Sequence, residues 1–342
     1  APYLSRDNWA AMDNNGLRYG SASNVVSGAE IGGKQWSHSI TSELKAELDS
    51  RSSRNPAEGT VPETYTFGAN NGIDLIDLRG LDYDDPLWED LLDQMDLEEL
   101  AKMIDESGYC TPAMDSVAKP KVTDLDGPAG LNSVVNHGSV VIGKDENGNE
   151  IKAMTWPSEY IIACTWDEEF ALKMGQGIGE DGMYGEVEGW YGPAVNIHRT
   201  PFAGRNFEYY SEDSYLSGVF GYEAVQGAAQ KGMYAFLKHF ALNDQETHRD
   251  HLGIVTWAGE QAIREIYLKP FEIACRAKPW TVMCSYNLVN GVRMSEHAKL
   301  YGVLRNEFGF DGLIMSDWWA VKDSEASLNA GLNWERPYDE AH

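Results

Sequence analysis

The chain is 342 residues long, enough for one large domain and a smaller appendage, and 54 acidic against 27 basic side chains give it a formal charge of −27. Such an excess of negative charge disfavours nucleic acid and anionic membrane surfaces as partners and leaves a neutral or cationic ligand. No apolar run approaches the ~18 residues of a membrane span, and the N-terminal stretch lacks the basic start and apolar core of a signal peptide. Cys110, Cys164, Cys275 and Cys284 show neither CxxC spacing nor a paired His motif, which argues against zinc and against a disulfide framework. Free buried thiols in a reducing, cytoplasmic compartment fit best.

In chain order, residues 1–80 are rich in Gly, Ser, Asn and scattered charge, read as loops around one short helix from Ile40 to Asp49, and form a connector or the tail of a preceding domain. The opening Ala1-Pro2-Tyr3 reads as the middle of a longer sequence. Residues 81–342 carry the main domain. Leu87, Leu91, Leu92, Met95, Leu100 and Met103 are spaced for one or two amphipathic helices, the second opened by an Asp96/Glu99 capping box. Strands and helices then alternate. Strands are expected at Val122 to Leu125, Ala194 to Ile197, Tyr234 to Leu237, Thr281 to Ser285, Leu313 to Met315 and near Leu332. Helices fit between them at Glu168 to Gly182, Asp213 to Lys231, Glu260 to Lys278 and Ala298 to Phe308. Such alternation means parallel strands with crossover helices, and at this length a closed (β/α)8 TIM-type barrel outranks an open sheet. No Walker loop or strand-borne GxGxxG is present, and the glycines of GQGIGEDG at 175–182 fall late in a helix pattern rather than at its start.

Each expected strand runs straight into polar residues that do not suit a core. Asp126 follows the first, at a turn forced by Gly127 and Pro128; it serves equally as a turn residue or a ligand group. Arg205, Asn206 and Glu208 lie in an aromatic-rich loop. Lys238 and His239 end an apolar run, and because neighbours in a strand face opposite ways, both reach one pocket only if the backbone is distorted at 238–240. Met283 and Tyr286 come next, the Tyr being either core filler or a hydroxyl seeking a partner such as Asp317. Finally GFDGLIMSDWWA sets Asp317 and Trp318 directly after a buried strand, where Asp317 is a candidate nucleophile or the N-cap of a helix beginning near Ala320. Two carboxylates, two cations, a His, a Tyr and a Trp suit a polyhydroxylated ring, whose hydroxyls take charged partners and whose C–H face takes an indole. Two carboxylates would repel a phosphate, and the nearby cations favour an ionised Asp317.

Beyond these physical grounds, DGPAG at 126–130, GRNFEYYSED at 204–213, KHFALNDQET at 238–247, REIYLKPFE at 264–272, VMCSYNLVNG at 282–291 and LRNEFGFDGLIMSDW at 304–318 resemble, in order, the barrel domain of glycoside hydrolase family 3, the β-glucosidase and β-xylosidase group. The resemblance implies a retaining exo-β-glycosidase, in the first place a β-glucosidase, acting on a terminal non-reducing sugar of a β-linked oligosaccharide or glucoside. It casts Asp317 as nucleophile, Asp126, Arg205, Lys238 and His239 as holders of sugar hydroxyls, and Met283, Tyr286 and Trp318 as pocket lining. It further implies unusual cis peptides at the KHF segment and no metal or organic cofactor. The family's acid/base is usually a Glu on a separate α/β sandwich domain, so a second domain or polypeptide is expected to supply it, as in members where the sandwich precedes the barrel. Two positions depart from the pattern: Asn132 stands where an Arg is common, and GLNWERP at 331–337 where GLDMEMP is common. A β-xylosidase is the alternative within the family, and a non-catalytic sugar-binding module or a phosphorylase the alternatives outside that activity. The N-acetylglucosaminidase branch is disfavoured, because its His-Asp acid loop is not recognisable.

Overall fold

The computed structural model describes residues 65–133, 138–247, 249 and 255–336, with residues 30–31, 34–35 and 42 besides. The expected helix Ile40 to Asp49 and most of the connector lie outside the described residues. The amphipathic spacing of the next segment yields two helices, α1 (Leu87–Gln94) and α2 (Leu97–Asp105). Asp96 caps α2, accepting from the amides of Glu98 at 2.9 Å and Glu99 at 3.1 Å. The box does not close, because the Glu99 carboxylate turns away to the amide of Asp115 at 2.8 Å, and the Asp96 amide finds Ser116 Oγ at 3.2 Å instead. The apolar faces of this segment form a small cluster in which Leu78, Leu91, Met114 and Val117 are buried.

Five parallel strands follow: β1 (Val122–Asp126), β2 (Gly189–Tyr191), β3 (Tyr234–Phe240), β4 (Thr281–Cys284) and β5 (Leu313–Met315). They pair in sequence order, β1 to β5. Because no step reverses direction, every crossover goes the same way and the helices collect on one face, which curls the sheet into the wall of a TIM-type (β/α) barrel. The strand expected near Leu332 is present as one parallel bridge, Trp334 to Met315, continuing the wall. The strand expected at Ala194 to Ile197 instead occupies Gly189–Tyr191. Pro193 supplies no amide to a ladder, so pairing stops before it and resumes only as isolated bridges at Ala194 and Ile197.

The main core lies between the outer face of the wall and three helices, α3 (Glu168–Gly185), α4 (Ser214–Gln230) and α5 (Lys269–Ala274). The GQGIGEDG glycines have a packing role here: a Cβ on Gly175 would stand 2.2 Å from the Ala224 carbonyl oxygen, so α3 and α4 touch backbone to backbone. The helix expected over Glu260 to Lys278 is broken into pieces, with a π turn at Ile263–Tyr267. Pro270 has no N–H to give the Ile266 carbonyl, and the Leu268 amide reaches back five residues to Ile263. All four cysteines are free, but Cys164 is exposed and Cys110 half-buried, and only Cys275 and Cys284 are the buried thiols expected. Among the described residues no helix is long and apolar enough to cross a membrane.

Candidate active site

At the carboxyl end of the strands, where side chains are fixed by the sheet and loops leave room above, a cavity opens with an empty volume of about 330 Å³, open solvent at its mouth included. Of the residues expected to form a site, Asp126, Arg205, Lys238, His239, Met283, Asp317 and Trp318 line it. Tyr286 is not among the lining residues, but it is buried with its hydroxyl turned toward Asp317, the partner expected for it, and with the Arg249 guanidinium 4.0 Å over its ring. Asn206 also turns away, donating to the Thr200 carbonyl at 2.7 Å.

Asp317 follows β5, and its amide still donates to the Cys284 carbonyl of β4 at 3.1 Å, so the sheet geometry carries through to the residue. It caps no helix, since the next one starts at Ser324 under Asp323. Its Oδ1 accepts from the Trp318 amide at 2.7 Å. Its buried Oδ2 has no hydrogen-bond partner among the described residues and stands 3.6 Å from His239 Nε2 and 3.9 Å from Arg205 Nη1. Burial pushes the Asp317 carboxyl above the ordinary aspartate range, and Arg205, Arg249, the Trp318 amide and Lys238 pull it only part of the way back. The expected cationic support is therefore present but does not outweigh desolvation.

Asp126 sits both in its turn and in the site, accepting from the Gly127 amide at 2.8 Å and from Lys238 Nζ at 3.0 Å. Gly127 has φ +121°, and a Cβ there would collide with the Gly130 carbonyl oxygen at 1.8 Å, so only glycine closes this turn. Burial would raise the Asp126 carboxyl, but Lys238, the Gly127 amide and Arg205 together hold it below its ordinary value. The Lys238–His239 and Phe240–Ala241 peptides are cis, which is the distorted backbone expected at this segment, and both Lys238 and His239 reach the cavity.

Glu208 fastens the cations, contacting Arg205 Nε directly and Lys238 Nζ at 3.5 Å. His239 is held neutral: burial first, then Arg205, Lys238 and Arg249, push its pKa well below the ordinary imidazole value. Arg205 Nη2 has only protons to offer, so His239 Nε2 must accept at 2.7 Å. The imidazole proton then sits on Nδ1, facing the Tyr209 oxygen at 3.2 Å, which also accepts from Asn243 Nδ2 at 3.0 Å. Sequence reasoning assigned no role to Tyr109, Tyr191, Met315 or Ser316, which complete the lining. A hollow at the opposite end of the strands has more empty volume, about 1040 Å³, but its lining is mainly apolar and aromatic, with Lys278 and Asp311 its charged members, so it offers no comparable convergence of charged groups.

Comparison with known proteins follows the same outline. The profile of the family described as "Glycosyl hydrolase family 3 N terminal domain" matches residues 136–336. An exo-α-(1→6)-L-arabinopyranosidase of Bifidobacterium longum is 42% identical over 226 residues, covering 66% of this chain and 29% of that protein. Thermostable β-glucosidase B of Acetivibrio thermocellus is 38% identical over 250 residues, covering 72% of this chain and 32% of its own length. Among solved structures, β-glucosidase 3B of Thermotoga neapolitana in complex with glucose superposes with a TM-score of 0.64 at 37% identity, over 72% of this chain and 36% of that one. The chain thus spans about a third of the length of these relatives.

Proposed function

The chain belongs to glycosyl hydrolase family 3, and on that premise we propose that it is the barrel portion of a retaining exo-β-glycosidase, a β-glucosidase releasing terminal non-reducing β-D-glucose by double displacement. Residues 1–80 are assigned to a connector or the tail of a preceding domain and residues 81–342 to the barrel. Asp317 is the nucleophile: the observation that carries this is its Oδ2, buried, free of hydrogen-bond partners among the described residues and aimed into a cavity rich in hydroxyl-binding groups. Asp126, Lys238, Arg205 and His239 bind the sugar hydroxyls, with the neutral His239 fixed by Arg205 on one nitrogen and Tyr209 on the other. Met283 and Trp318 cover the ring's apolar face, and Tyr286 turns its hydroxyl toward Asp317.

In the reaction Asp317 attacks the anomeric carbon and an acid protonates the departing oxygen; water, activated by the same group as base, then cleaves the glycosyl-enzyme. We assign that acid/base to a Glu on another domain or polypeptide. A pentopyranoside, such as a β-xyloside, is the second reading; the α-L-arabinopyranosidase among the relatives supports a pentose in this site. The test uses a dinitrophenyl 2-fluoroglucoside, whose leaving group departs without protonation, so the acid is not needed for the first step. Mass spectrometry is expected to find one fluoroglucosyl group on the Asp317 peptide. Labelling elsewhere, or none by either the glucoside or its xyloside counterpart, would refute the assignment.

A further inference from the structure

Tyr109 stands in the cavity wall with its ring 4.6 Å from that of Trp318 at 21°, and 5.4 Å from that of Tyr191 at 30°. It follows α2 on the turn leading into the short strand Cys110–Thr111. The peptides around it are pinned from below by Arg336, fully buried, whose Nη1 donates to the carbonyls of Ser107, Gly108 and Cys110, the last at 3.1 Å. The same guanidinium lies 3.4 Å over the Trp334 ring and 3.3 Å from Asp124 Oδ2. Tyr191 adds a hydrogen bond to the Gly108 carbonyl at 3.4 Å. Tyr109 therefore has little freedom to leave the wall. Its hydroxyl stays a neutral phenol, because burial, and after it the charges of Asp126 and Asp317, push its pKa up to about 12. A phenol held among the carboxylates that bracket the cavity can donate to one sugar oxygen while its ring, stacked on Trp318, extends the apolar platform.

We infer that Tyr109 is a further substrate-contact residue of this pocket, its hydroxyl bonded to a single hydroxyl of the bound sugar and its position fixed by Arg336. The inference rests on the glycosidase reading above. It is tested by calorimetric titration of the full chain with glucose, xylose and the set of monodeoxyglucoses, in wild type and in Tyr109→Phe, which removes one oxygen and keeps the ring stack. Tyr109→Phe is expected to bind glucose roughly three- to tenfold more weakly, the effect of one hydrogen bond. For one monodeoxyglucose, the sugar lacking the partner hydroxyl, that penalty is expected to disappear. Equal binding of all sugars by the two proteins would overturn the inference. So would a penalty of the same size for every deoxy sugar, which would mark a merely structural role. If wild type binds none of the sugars, the glycosidase reading falls as well; unchanged binding in Tyr109→Phe sinks only the present one.

Discussion

Lys238 and Glu208 face each other at 3.5 Å with each side chain only 2% exposed, and Glu208 also holds Arg205. Removing one partner of a buried pair leaves its counter-charge stranded. Glu208→Ala, which takes a carboxylate from two buried cations but leaves Lys238 its Asp126 partner and Arg205 the more distant Asp317, is expected to cost up to about 3–5 kcal/mol, read from the midpoint of a guanidinium unfolding curve at unchanged slope. An unshifted midpoint would mean that the pair contributes nothing to the fold.

The raised carboxyl of Asp317 gives the reaction a pH signature. The nucleophile must be charged, and burial places its pKa above the ordinary aspartate value, so kcat/KM for a glycoside with a good leaving group is expected to fall with decreasing pH through an apparent pKa above ~3.9. Asp317→Ala is expected to lose roughly 10⁴-fold or more of that rate while still binding sugar. An acid limb at or below the ordinary aspartate value would contradict the electrostatic account.

Glu159 is fully buried, and neither of its carboxylate oxygens finds a partner among the described residues. Burial, reinforced by Glu208 and opposed by Lys238, raises its pKa well above the ordinary value. A group whose folded pKa exceeds its unfolded one gives stability that is complete below the unfolded pKa and drains away as pH rises toward the folded one. Glu159→Gln, neutral throughout, is thus expected to gain on wild type from about pH 4 upward, by as much as ~1.4 kcal/mol per pH unit across that window. Thermal melts of both proteins across pH that run parallel would dismiss this.

Gly175→Ala tests the helix contact behind the wall. The added methyl meets backbone rather than a flexible side chain, so α3 and α4 must separate, at a cost of about 1–3 kcal/mol. Gly148→Ala offers the comparison: its Cβ would meet open space, but φ +82° strains the backbone of a surface turn, so any loss there is conformational rather than steric. A melting temperature unchanged in Gly175→Ala would show that the helices have room to spare.

Much of the site was legible because apolar runs that end in Asp, Lys-His or Asp-Trp break the pattern of a core, and the strands β1, β3, β4 and β5 fall where those runs lie. That the strands run parallel followed from the alternation, and the choice of a barrel over an open sheet from the chain's length. Three features were not legible. Tyr109 lies in a stretch without periodicity, and an aromatic there carries no mark of where it points. The Ala194 to Ile197 segment has the composition of a strand, but the preceding proline withholds an amide and moves the ladder back to Gly189–Tyr191. Glu159 sits beside an apolar Tyr-Ile-Ile run, and its burial depends on α4 and the Glu208 loop closing over it, contacts far apart in sequence.

The hydrogen bond from Arg336 to Ser107 closes a loop of 229 positions. Entropy makes so distant a link costly to form early, since local pairings are available at much lower cost. During synthesis, Asp126, Lys238 and Asp317 would all have left the ribosome before Arg336 arrives to lock the turn that carries Tyr109. The nascent chain would thus possess its charged groups before it possesses a finished receptor.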